Sequence, residues 1–123
     1  MSYNEADTRA NLIDPKLRDA GWNNNLISRE YPISAGRIEI IGETHRRTAP
    51  RRADYILRFA NHGEAIAVVE AKEEGVPASR GMAQAKEYAE KLNLLFAYAT
   101  NGHEIEEFSF LTNRQATIPI SGK

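Results

Sequence analysis

Two short stretches constrain the fold of this chain more than any other feature: AIAVVEA at 65–71 and LLFAYAT at 94–100. Read with the two-residue period of a β-strand, each is apolar on both faces, which suits a strand covered above and below. Between them, residues 79–92 carry Met82, Ala85, Ala89 and Leu92 along one side of a helix. Strand, helix and strand in that order make a right-handed crossover joining two parallel, central neighbours. An α/β protein is expected, with a mixed central β-sheet flanked by helices.

The flanking segments extend this frame. In 53–59, Tyr55, Leu57 and Phe59 share one face while Asp54, Ile56 and Arg58 share the other. Asn61-His62-Gly63 reads as a turn, so 53–71 is expected to be a β-hairpin. Residues 38–41 form a short strand ending at Gly42, residues 43–52 a polar loop, and 23–36 a loop with a short extended piece around 26–31. From 5 to 20, Leu12, Ile13, Leu17 and Ala20 recur at helical spacing, with Gly21 as a stop. Pro15 interrupts that pattern: either the helix kinks, or Asp14 caps a second piece with Pro15 at its first position. Beyond 100, Asn101-Gly102 is a turn signal and 104–111 alternates as a strand. The order is thus a helix, three strands, a helix and two strands, one domain over 1–111. The stretch 112–123 shows no pattern and reads as a tail.

Composition excludes several classes. The chain has 123 residues, 41% of them hydrophobic, and a formal net charge of −1. That is enough apolar content for a core and too little net charge to attract nucleic acid globally, so such binding must come from local patches. There is no cysteine, which removes disulfide scaffolds and thiolate zinc sites and fits a reducing cytoplasm. The N-terminus has no apolar signal-peptide core and no run reaches membrane-spanning length. A cytoplasmic protein without membrane contact is expected.

The strand 65–71 closes on a chemical anomaly. Glu70 and Lys72 are two apart, so their side chains project from one face. The hairpin brings Asp54 beside Glu70. Two carboxylates a few ångströms apart repel, and a divalent cation between them is a natural solution. Hard oxygen ligands with no imidazole or thiolate nearby suit magnesium, with manganese as a substitute. The Ala71 carbonyl offers a further oxygen ligand. Such an ion lowers the pKa of a water and offsets charge on a phosphate, while Lys72 positions the water or stabilises that charge. Set against this, a Glu-x-Lys tripeptide is common by chance and by itself describes a salt-bridged strand end.

Four stretches in order carry more weight than the tripeptide: EADTRANLIDPKLRDAGW at 5–22, RADYILRF at 52–59, AVVEAK at 67–72 with QAKEYA at 84–89, and FAYATNG at 96–102. The pattern Asp54…Glu70-Ala71-Lys72 resembles the PD-(D/E)xK, restriction-endonuclease-like core. More closely, the chain resembles the N-terminal nuclease domain of the R subunit (HsdR) of type I restriction–modification enzymes, nearly throughout as far as Phe108. The resemblance implies a magnesium-dependent endonuclease that cuts double-stranded DNA. It further implies ATP-driven translocation by helicase motor domains that follow this one, and assembly with methyltransferase and specificity subunits. By the same likeness Asp54 and Glu70 are metal ligands, Lys72 is the catalytic lysine, and Gln84 and Tyr88 match the family's QxxxY motif. Glu5 is similar to an acidic residue near the metal site in related nucleases. The chain carries no GxxxxGK[ST] phosphate loop. It is expected to be either a piece of a longer subunit, with 112–123 as the linker to the motors, or a solitary nuclease.

Other features remain open on the residues alone. Gln84 and Tyr88 sit four apart and share a helix face, which fits DNA-backbone contact or a polar surface pair. HRRTAPRR at 45–52 places Arg46, Arg47, Arg51 and Arg52 just before Asp54, as a phosphate-gripping loop or a solvated one. Arg80, Lys86 and Lys91 alternate with acids that blunt any patch. His45, His62 and His103 have no metal-ligand spacing and read as surface residues. Trp22 reads as a core anchor. The functional expectation is a type I restriction endonuclease domain. The alternatives are a stand-alone nuclease of repair or recombination, and a non-catalytic DNA-binding or docking domain of the same fold.

Overall fold

The computed structural model describes residues 3–22, 24–33, 38–41, 44–47, 51–58 and 64–118, with backbone alone at residues 24, 38–41, 44–47 and 51. Asn4 starts the first helix by accepting the Asp7 N–H at 2.8 Å. That helix is continuous in three parts: α1 (Glu5–Thr8), a π-helical turn (Arg9–Ile13) and α2 (Asp14–Asp19). A second helical piece does start here with Pro15 in its first turn, as one expectation had it, but Asp14 is its first residue and a π turn precedes it. The Asp14 N–H reaches back to the Arg9 carbonyl, and the wider turn makes room for the pyrrolidine ring without needing its missing N–H. Asp14 caps nothing; its carboxylate lies 3.5 Å from Arg29 Nε.

Among the described residues eight strands follow: β1 (Ile27–Ile33), β2 (Ile38–Ile41), β3 (Thr44–Arg47), β4 (Arg51–Arg58), β5 (Ala65–Ala71), β6 (Phe96–Thr100), β7 (Ile105–Ser109) and β8 (Arg114–Ile118). Helix α3 (Met82–Leu92) joins β5 to β6 after a single 3-10 turn at Ala78–Gly81. The main sheet runs β1-β4-β5-β6-β7-β8, and β5 with β6 is its parallel pair, as the two apolar stretches require. The β4–β5 hairpin also holds, antiparallel with Tyr55 opposite Val69 and Ile56 opposite Val68. Its turn at 61–63, like Phe59, lies outside the described residues.

Three segments depart from expectation. The segment expected to be a loop with a short extended piece holds β1, a full strand beside β4 in the main sheet. β1 carries Pro32 because it is an edge strand, whose outer side needs no N–H donors. Strand β2 pairs with β3 in a two-stranded sheet, Ile38 opposite Arg47 and Ile41 opposite Thr44, so the loop expected at 43–52 contains a strand. Finally, Arg114–Ile118 is a sixth strand of the main sheet, paired along its length with β7. Its exposed, unpatterned side chains hide it: the strand is held by backbone bonds to β7 and by Thr117 and Gln115 donating to Glu106.

The sheet buries a cluster on each face. Toward α3 lie Ile33, Ile56, Val68, Met82, Ala85, Tyr88, Ala89, Leu94, Ala97 and Phe108. Toward the first helix lie Ile13, Ile27, Tyr55, Leu57, Ala67 and Val69, with Leu17 and Trp22 packed against them, so Trp22 is the core anchor expected. Ile56 and Val68 are fully buried, each contributing about 1.5–3 kcal/mol of transfer free energy. The turn at Gly102 (φ +91°) locks the first helix to the sheet: a Cβ there would lie 2.7 Å from Leu12 Cβ. No described helix is long and apolar enough to cross a membrane.

Candidate active site

The β4–β5 ladder ends where the chemistry begins. One step beyond the Tyr55–Val69 pair, register brings Asp54 opposite Glu70. There the side chains take over from the backbone. Glu70 Oε2 accepts the Asp54 N–H at 3.1 Å, and Asp54 Oδ2 accepts the Ala71 N–H at 2.8 Å. Each carboxylate is thereby fixed to the other strand. Within an extended residue the N–H and C=O point to the same side, so the Ala71 carbonyl also faces Asp54. The structure thus brings together Asp54, Glu70 and Ala71, the three residues expected to hold a cation.

Electrostatics mark Glu70 as the disfavoured charge of the pair. Glu70 is 8% exposed, and burial, reinforced by repulsion from Asp54, pushes its carboxyl well above the ordinary range, to about 8. Glu5 feels the same field. Its pKa is raised by partial burial and then by Asp54, and lowered by Arg9 and Lys72, which places Glu5 within electrostatic reach of the site. Among the described residues no three acids or imidazoles form a ready-made metal cluster. The oxygen pair with an adjacent carbonyl still fits a hard divalent cation, because these are hard oxygen donors and the buried Glu70 carboxylate is repelled by Asp54.

Lys72 leaves the same strand end on the α3 side. Its backbone N–H is held by the Thr100 carbonyl at 2.8 Å, extending the parallel β5–β6 pairing. Its stem passes over Gly81, where a Cβ would lie 3.4 Å from both Lys72 Cγ and Cε and 3.3 Å from Ala99 Cβ. Gly81 therefore gives the lysine its channel. Gln84 sits one turn further along α3, half-buried, with its amide 3.4 Å from Glu87 Oε1. Tyr88, expected beside Gln84 at the site through the same motif, is 4% exposed and packs in the α3-side core.

The arginine quartet divides. Arg52 is exposed on β4. The side chains of Arg46, Arg47 and Arg51 lie outside the described residues, although their backbones form β3 and the start of β4. His103 is exposed and pairs with Glu74 at 2.8 Å, in keeping with a surface role; His45 and His62 have no described side chain.

Sequence reasoning missed two site residues. Arg9 Nη1 donates to Asp54 Oδ1 at 2.6 Å and lies 3.1 Å from Glu30 Oε2. The Tyr55 hydroxyl, 3.5 Å from the Arg9 carbonyl, helps hold the π turn over β4. Arg9 had one readable signal, its position four residues after Glu5 on a helix. Glu30 had none, because its contact depends on an irregular strand backbone (φ +53°).

Comparison with known proteins identifies the family and the fold. Residues 4–121 match the family model described as type I restriction enzyme R protein N terminus. The type I restriction enzyme EcoAI endonuclease subunit of Escherichia coli is 34% identical over 99 residues, covering 80% of this chain. A solved fragment titled as an HsdR subunit of a type I restriction enzyme from Vibrio vulnificus YJ016 superposes with a TM-score of 0.84 at 46% identity, over 96% of this chain. The chain spans 12% of the length of the first and 23% of the second. With its α/β nuclease-like core and a family match over almost its whole length, this chain belongs to the type I restriction enzyme R protein N-terminal family.

Proposed function

We propose that this chain is the nuclease module of a type I restriction R subunit, hydrolysing phosphodiester bonds of double-stranded DNA with magnesium or manganese. The observation that carries the reading is the cross-tied pair Asp54–Glu70 with Lys72 at the end of a central strand. Asp54, Glu70 and the Ala71 carbonyl would hold the cation, with Glu5 as an outlying carboxylate. When bound, the ion acidifies a water and offsets charge on the phosphate. Lys72, guided over Gly81, orients the water and stabilises the charge that develops on the phosphoryl oxygens. Gln84 contacts the DNA backbone beside the lysine, and Tyr88 supports α3 from the core. Arg46, Arg47, Arg51 and Arg52 grip flanking phosphates without reading sequence.

In its full context the module works in the cytoplasm with ATP-driven motor domains and with methyltransferase and specificity subunits. Family membership favours this setting over a stand-alone repair nuclease. Calorimetric titration of manganese into the chain, beside Asp54→Ala and Glu70→Ala, tests the site. Binding removed by both substitutions is expected. Binding that survives both would overturn the assignment of ligands.

A further inference from the structure

The chemistry above leaves Arg9 and Glu30 without a task, yet they are joined to the site by its shortest described ion pair. A single nitrogen, Arg9 Nη1, spans Asp54 Oδ1 at 2.6 Å and Glu30 Oε2 at 3.1 Å. Asp54 Oδ2 accepts the Ala71 N–H and Oδ1 carries the Arg9 ion pair, so a cation drawn to Asp54 meets the guanidinium on the same carboxylate. A guanidinium 2.6 Å from Oδ1 repels a divalent ion arriving at the same carboxylate, so the two compete for Asp54.

The surroundings let the arginine leave. Its side chain is 25% exposed, against 13% for Asp54 and 54% for Glu30, so a path runs outward from Asp54 to Glu30. Arg9, Asp54 and Glu30 line a cavity of about 220 Å³ together with Asp14, Arg29 and Tyr55, which gives the guanidinium room to shift. Glu30 is held in a left-handed conformation (φ +53°) between the paired residues Arg29–Tyr55 and Tyr31–Ala53, which places it across from Asp54. A glutamate in that conformation inside a strand is strained, and it is kept where its carboxylate meets Arg9. Burial opposes the charge of Arg9, but Asp54, Glu30 and Glu5 outweigh it, so the guanidinium stays cationic throughout.

We propose that Arg9 is the exchangeable counter-ion of this site: it balances Asp54 until a divalent cation displaces it, and Glu30 is the acceptor that receives it. Arg9 and Glu30 are thus positioning residues that set cation affinity with opposite signs. The inference rests on the nuclease reading in assuming that Asp54 and Glu70 bind the cation.

The test is manganese affinity, read by calorimetry and by electron paramagnetic resonance of the free ion, on the intact chain. Arg9→Met keeps the apolar stem and removes the competitor, so binding should tighten roughly fivefold to tenfold. Glu30→Gln removes the acceptor, so binding should weaken by roughly threefold or more. The double variant should match Arg9→Met, because Glu30 acts only through Arg9. Manganese should also raise the melting temperature of Arg9→Met by more than that of the parent. Should Arg9→Met not fold, Arg9→Lys, which keeps the charge and loses the fork, should tighten binding by a smaller factor. Weaker or unchanged binding in the Arg9 variant that folds would overturn the exchange while leaving the metal site standing. Binding that is absent throughout, or indifferent to Asp54→Asn, would overturn the nuclease reading and this inference with it.

Discussion

Asp54 and Glu70 each accept a hydrogen bond from the backbone of the opposite strand, Asp54 from Ala71 at 2.8 Å and Glu70 from Asp54 itself at 3.1 Å. The two acids are held in place before any cation arrives, so binding one costs little side-chain entropy. Their placement also sets a buried Glu70 against Asp54, whose carboxylate Arg9 pairs, and several consequences can be measured.

Lys72→Ala should lower plasmid cleavage at least about 100-fold, the contribution of a positioned acid–base or charge-stabilising group. The fold should survive, with a loss of about 1 kcal/mol from the aliphatic stem over Gly81. Cleavage with magnesium and thermal melting, run in parallel, check both statements; a variant that cuts at the parent rate would remove Lys72 from the mechanism.

Gly81→Ala puts a methyl 3.3–3.4 Å from Ala99 Cβ and the Lys72 stem. The backbone there is ordinary, so the expected stability cost is small, about 1 kcal/mol. Cleavage should fall out of proportion to it, because the lysine must shift by a few tenths of an ångström. Equal losses in both would show that the channel serves packing alone.

Gly102→Ala combines a left-handed backbone (φ +91°) with a Cβ 2.7 Å from Leu12. The expected loss is about 2 kcal/mol or more, read from urea unfolding. A loss under about 0.5 kcal/mol, typical of an ordinary surface change, would mean that the first helix is not locked to this turn.

The Glu70 carboxyl has a folded pKa raised from 4.5 to about 8 by burial and then by Asp54. Between those values the native chain binds more protons than the unfolded one, so this contribution is fully present below pH 4.5 and is lost as pH rises through 8. Melting temperature should therefore drop from pH 5.5 to 8.5 by more in the parent than in Glu70→Gln, in which the group no longer titrates. Parallel curves for the two proteins would contradict the assignment.

Replacing Arg46, Arg47, Arg51 and Arg52 with alanine should weaken DNA binding and flatten its salt dependence, with up to about 0.9 units of log–log slope lost per phosphate contact. Fluorescence anisotropy across a salt series reads this directly; an unchanged slope would make the basic segment a solvated bystander.

The amino-acid sequence by itself determined the parallel β5–β6 pair and its crossover helix, because strands apolar on both faces have few other places to go. It also determined that Glu70 and Lys72 share a face and that a hairpin sets Asp54 beside them, since strand parity and turn chemistry are local. Tertiary structure alone decided the rest. Strand β8 has exposed side chains and is held by backbone bonds to β7, β1 accommodates Pro32 by lying at the edge, and the helix passes Pro15 through a π turn. Arg9 reaches Asp54 only because the first helix packs over β4, a contact spanning 45 residues. Periodicity reports which residues are buried; which charges meet across the sheet depends on how the elements dock.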